Sequence, residues 1–109
     1  MEINEYQKEA MKSLNPSLNN EEVLLNGVMG LCGESGEVID ILKKHLSQGH
    51  ELNKAKMIEE LGDVAWYLAE TAFALGVDLD TVLANNLTKL ANRYPDGFDV
   101  EKSINRSDE

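Results

Sequence analysis

The 109-residue chain has little of what marks many other classes of protein. Its one cysteine, Cys32, rules out an internal disulfide and suits a reducing compartment. Set among Met29, Leu31 and Gly33, Cys32 reads as a small packing residue. Aromatic residues make up 6%, with a single Trp and two Phe, so the 42% of hydrophobic residues can build one modest, mostly aliphatic core. Basic residues are scarce too: 10 Lys and Arg stand against 20 Asp and Glu, a formal net charge of −10. The averaged field repels nucleic acid polymers and anionic membranes, so a phosphate-bearing ligand must be met locally, by acid-held metal ions or a few Lys and Arg. No apolar run approaches the roughly 20 residues that span a bilayer, and MEINEYQKEA has no basic segment leading into an apolar one. The expectation is a soluble, cytoplasmic protein with no membrane partner.

Only two prolines occur, Pro16 and Pro95, and nearly all of the periodic sequence lies between them. Ahead of Pro16, Ile3, Tyr6, Ala10 and Leu14 recur at helical spacing and predict a short N-terminal helix over 3–14. Asn19 or Asn20 caps a second helix from about 21 to 46, through Val28, Leu31, Val38, Ile41 and Leu42. Lys43, Lys44 and His45 complement the dipole at its end. After the SQGHELN connector, Asn53 caps a third helix that Gly76 terminates. Asp78 or Asp80 caps a fourth, which ends at Tyr94 and Pro95. The reading is all-α: four helices, up and down, in one domain with its core at about 21–94 and an irregular tail over 95–109 anchored by Phe98.

Gly27, Gly30, Gly33 and Gly36 fall every third residue inside the second helix, each costing roughly 1 kcal/mol relative to Ala. Close helix packing, a break in the helix, or space kept for a ligand would each account for them.

The chemistry sits in two pairs of acids. Glu34 and Glu37 form E-x-x-E on the second helix, and Glu60 and Asp63 form E-x-x-D on the third. A spacing of three puts each pair on one helical face. In an antiparallel hairpin, facing residues share one index sum; Glu34 with Asp63 and Glu37 with Glu60 do so, and the implied fold-back lies between Gln48 and Gly49, inside the connector. Four acids brought level repel each other, and hard divalent cations such as Mg²⁺ relieve that repulsion. Acids at this spacing are also common on solvated faces. Here, though, GLCGESGEVIDILKK and IEELGDVAWYLAE surround them with Gly and apolar residues.

These two segments, with NLTKLANRYPDGF, resemble the MazG-like nucleoside triphosphate pyrophosphohydrolases of the all-α NTP pyrophosphatase superfamily, over roughly residues 21–98. The resemblance implies that Glu34, Glu37, Glu60 and Asp63 ligate Mg²⁺, with Mn²⁺ as a substitute. It also implies cleavage of an NTP or dNTP to NMP and pyrophosphate, in nucleotide pool housekeeping. Asn86, Lys89 and Arg93 match polar positions around the substrate, and Tyr67 matches a substrate-contact position; a solvated helix face and a core tyrosine are the alternatives. Glu37, in the middle of the apolar stretch, is the expected general base. The resemblance further implies a homodimer or homotetramer, and relatives specialised for dUTP, dCTP or phosphoribosyl-ATP stay open. Lys43 and Lys44 are explained by the helix dipole, His45 and His50 mark no site, and Trp66 reads as core or interface.

Two other classes compete. A di-iron carboxylate bundle needs Glu-x-x-His on two helices, but Leu42 and Ser47 stand three residues before His45 and His50. A non-catalytic helical module would keep its acids for solubility alone.

Overall fold

The computed structural model describes residues 1–106. Among them the secondary structure is helical: α1 (Ile3–Met11), α2 (Asn20–Ser47), α3 (Lys54–Ala74), α4 (Leu79–Arg93) and α5 (Val100–Ile104). Local chemistry sets the boundaries. Asn19 Oδ1 accepts from the Glu22 amide at 2.9 Å while Glu22 Oε1 accepts from the Asn19 amide at 3.1 Å, a reciprocal cap that starts α2. The α2–α3 connector turns at Gly49, whose φ of 72° is open to glycine with little strain. Asn53 then caps α3 through the Lys56 amide at 3.0 Å.

Two boundaries differ from expectation, those of α1 and of the tail, and one settles an open choice. α1 stops at Met11, three residues short of Leu14, where the amides of Ser13 and Leu14 tighten into turn hydrogen bonds to Ala10 and Met11. α4 starts at Leu79, immediately after Asp78, the first of its two expected caps. The tail is not wholly irregular: Asp99 Oδ1 accepts from the Lys102 amide at 3.1 Å and caps the five-residue α5, a helix too short to show a hydrophobic period.

Length suggests one domain, and the described residues fall into two compact units, Met1–Leu79 and a second beginning at Asp80. In the first, α2 and α3 form an antiparallel hairpin and α1 packs on α3. The hairpin is pinned at its open end, where Asn20 Nδ2 donates to the Ala74 carbonyl at 3.1 Å. α1 is held by a polar key. Buried Gln7 donates to the carbonyls of Ala69 (3.2 Å) and Val77 (3.4 Å) and accepts from the Leu79 amide at 2.9 Å. Half-buried Trp66 donates through Nε1 to the Ala10 carbonyl and to Ser13 Oγ, both at 3.0 Å. The buried apolar core is small-residue rich: Val23, Ala69, Ala72, Ala74 and Leu79. Small side chains on α3 let both neighbours approach closely but bury little area.

In the second unit the Phe98 ring meets that of Tyr94 with centroids 5.4 Å apart but stays 74% exposed, and the Arg93 guanidinium lies 6.0 Å above the Tyr94 ring.

Candidate metal centre and active site

The hairpin register that the acids require is carried by their neighbours. A Cβ on Gly30 would enter the Tyr67 ring, and one on Gly27 would lie 2.5 Å from Thr71 Oγ1 and 3.2 Å from the Thr71 amide nitrogen. Those two glycines are bare so that α3 can approach. A Cβ on Gly33 or Gly36 would meet nothing within 4 Å, so the repeat divides into a packing half and an open half.

Beside the open half three carboxylates converge. Glu34, Glu60 and Asp63 each offer an oxygen, all within 4.8 Å of one another. Glu60 is 7% exposed, Glu34 half-buried and Asp63 exposed, so the cluster opens outward from Glu60. A hydrogen bond to Glu60, reinforced by burial and by the charges of Glu60, Asp63 and Glu37, pushes the Glu34 carboxyl up to about 7. The same bond and the Lys56 ammonium hold Glu60 below the usual carboxylate range. The opposite shifts are those of two carboxylates that resist ionising together at close range.

Tyr67 lines a cavity of about 350 Å³ with Glu34, Asp63 and Trp66. It therefore occupies the bare face of Gly30 and borders the acids at once, and Trp66 meets its ring edge-on at 5.1 Å. Glu37 is not among the three converging acids. One turn further along α2, it lines a neighbouring cavity of about 300 Å³ with Asp40, Lys44, His50 and Lys56. Asn86, Lys89 and Arg93 stand on α4 in the second unit, at steps of three and four residues.

Three contributions went unread in the sequence. Lys56 Nζ lies 3.2 Å from Glu60 Oε1, an i,i+4 pair visible in the spacing. Tyr6 reaches the site from α1: burial, and then the charge of Asp63, push its phenol up. Glu70 is fully buried, and Asn26 Nδ2 donates to both of its oxygens at 3.0 and 2.9 Å. The hairpin register, extended outward, brings Asn26 and Glu70 together; α1 lies outside that register and left no comparable signal.

All donors in the cluster are carboxylate oxygens, a hard set suited to Mg²⁺ or Mn²⁺, and the upward push on the Glu34 carboxyl marks a charge excess that a divalent ion would relieve. Among the described residues no helix is long and apolar enough to cross a membrane.

Comparison with known proteins agrees with this geometry. Residues 24–98, which include all four acids, match the MazG nucleotide pyrophosphohydrolase domain. The chain is 42% identical over 82 residues to Gene 37 protein of Mycobacterium phage L5, covering 72% of each chain. No solved structure matches. With the match spanning most of its length and every acid of the cluster inside it, the chain belongs to the MazG nucleotide pyrophosphohydrolase domain family.

Proposed function

We propose that this protein hydrolyses a nucleoside or deoxynucleoside triphosphate between its α and β phosphates, giving the monophosphate and pyrophosphate, with Mg²⁺ as its cofactor. The observation that carries this reading is the convergence of Glu34, Glu60 and Asp63 at the edge of a cavity lined by Tyr67. Those three carboxylates, joined by Glu37, would hold the metal, which when bound neutralises phosphate charge and acidifies a water.

The protein's own groups do the rest. Glu37, one turn from the converging acids, takes the proton of the attacking water. The new bond forms from that water oxygen to phosphorus, the bridging P–O bond breaks, and its electron pair departs on the leaving phosphate. Lys56, paired with Glu60, keeps that carboxylate charged. Tyr67 limits the cavity and offers a ring face and a hydroxyl to the nucleotide. Asn86, Lys89 and Arg93 bind phosphate in this reading, on the match of their positions to the family pattern and the donors they carry.

The products test it. Incubation with Mg²⁺ and a panel of NTPs and dNTPs, followed by mass analysis, is expected to show NMP and pyrophosphate in equal amounts, and the panel will rank bases and sugars. NDP with orthophosphate would overturn the assignment, and no turnover of any triphosphate would favour a non-catalytic module.

A further inference from the structure

The converging acids separate two cavities of opposite character. On one side Trp66 and Tyr67 line about 350 Å³ with Glu34 and Asp63. On the other, toward the connector, about 300 Å³ is lined by Lys44 of α2, His50 of the connector and Lys56 of α3, together with Glu37, Asp40 and Glu51. Lys56 joins this second cavity to the cluster, its Nζ lying 3.2 Å from Glu60 Oε1. Lys44 stands further out, about two turns past Glu37, with its Nζ 2.9 Å from Asp40 Oδ2. His50 is anchored through its backbone, its carbonyl oxygen 2.8 Å from His45 Nδ1. Aromatic rings, carboxylates and amines thus follow one another along the hairpin. A nucleoside triphosphate has the same polarity, with a base at one end, a polyanion at the other and the scissile bond between them.

We infer that the connector cavity seats the β and γ phosphates and the pyrophosphate they become, held by Lys44, His50 and Lys56. The inference rests on the hydrolase reading of the acids and gives the substrate a direction, base toward Tyr67 and phosphate tail toward the connector. Both ammonium groups can serve. Their side chains are 47% exposed, and their partners Asp40, Glu59 and Glu60 are neighbours one turn away, in pairs that hold loosely in water. Each ammonium carries three donors, so it can turn one to a phosphate oxygen and keep its carboxylate. The acids in the lining decide the form of the ligand. Glu37, Asp40 and Glu51 offset the charge of the two lysines, so a bare polyanion gains little there, whereas a polyphosphate carrying its divalent ion meets both signs. Lys43 supplies an internal comparison: it lies 3.6 Å from the same Asp40 but is not among the residues lining the cavity.

Calorimetry reads the site without turnover. The full-length protein, in excess Mg²⁺, is titrated with inorganic pyrophosphate and separately with a panel of nucleoside monophosphates. Lys44→Gln should weaken pyrophosphate binding about tenfold, through loss of a charged donor, and leave monophosphate binding unchanged. His50→Asn, which removes the ring and keeps the carbonyl, should weaken pyrophosphate binding several-fold. Lys44→Arg should recover most of the affinity, and Lys43→Gln should change nothing; circular dichroism confirms that each variant keeps its helix. No binding of pyrophosphate at millimolar concentration, full affinity in Lys44→Gln, an equal loss in Lys43→Gln, or an equal loss of monophosphate binding would each overturn the site. Triphosphate cleavage is assayed in parallel. Cleavage without Lys44-dependent pyrophosphate binding would overturn this site alone, whereas such binding without cleavage would keep the site and overturn the hydrolase reading.

Discussion

The two halves of the α2–α3 hairpin are built on opposite terms. Away from the connector, Gly27 and Gly30 are bare against Thr71 and Tyr67, Val23, Ala69, Ala72 and Ala74 are buried, and the buried Glu70 is answered by Asn26. Toward the connector, Gly33 and Gly36 face open space, Ile58 and Leu61 are 69% and 53% exposed, and the acids converge. One half spends the hairpin's packing on register; the other uses that register to hold like charges together. Carboxylates within 4.8 Å of each other would drift apart on an isolated surface, so the closed half positions the open one.

Substitutions can separate the halves. The largest expected effect is at Glu37: Glu37→Gln should lower kcat by about two orders of magnitude or more while leaving thermal stability and nucleotide binding close to unchanged, measured by pyrophosphate release and calorimetry. Loss of stability equal to the loss of activity would mean that the open half also supports the fold.

Next in size is the buried pair in the closed half. Asn26→Ala leaves the Glu70 carboxyl without its amide donor and should cost about 2 kcal/mol in urea unfolding. Gly30→Ala and Gly27→Ala follow. Overpacking costs about 1–3 kcal/mol against roughly 1 kcal/mol gained in helix propensity, so a net destabilisation of up to about 2 kcal/mol is expected.

pH acts on the open half through Glu34. Glu34 holds its proton up to about 7, above the 4.5 of an ordinary glutamate, so between these values the folded state binds more protons than the unfolded state. Without metal, this group therefore lowers stability as pH rises from about 4.5 to 7. Metal must displace that proton, so Mn²⁺ affinity by calorimetry should tighten about tenfold from pH 6 to pH 8, as one proton titrating near 7 requires. A flat profile would show that the cluster does not bind the ion through Glu34. The smallest effect is Gly33→Ala, which meets no neighbour and should stabilise by about 0.5–1 kcal/mol, opposite in sign to Gly30→Ala.

Much of the hairpin was readable before any coordinates. The helical periods, the Asn19 and Asn53 caps and the glycines at 49 and 76 are local signals, and the shared index sum of the acids aligned α3 with α2. Glu34, Glu60 and Asp63 meet as that register requires. The alignment did not separate Glu37 from them: index sums describe helix positions, and side-chain rotamers decide which oxygens converge. Nor did it separate the four glycines, which look alike in sequence and serve two purposes.

The sequence by itself determined α1 to α4, their order, the hairpin of α2 with α3 and the family, because each rests on interactions within a few residues or on a single hairpin of known period. Tertiary structure alone decided that Gly30 is bare for Tyr67, that Glu60 pushes the Glu34 carboxyl up, that Tyr6 of α1 feels Asp63, and that Glu70 is buried on Asn26. Each of these depends on how closely two helices approach and which rotamers fill the gap, and that distance is set by all the contacts of the interface together rather than by any one residue in it.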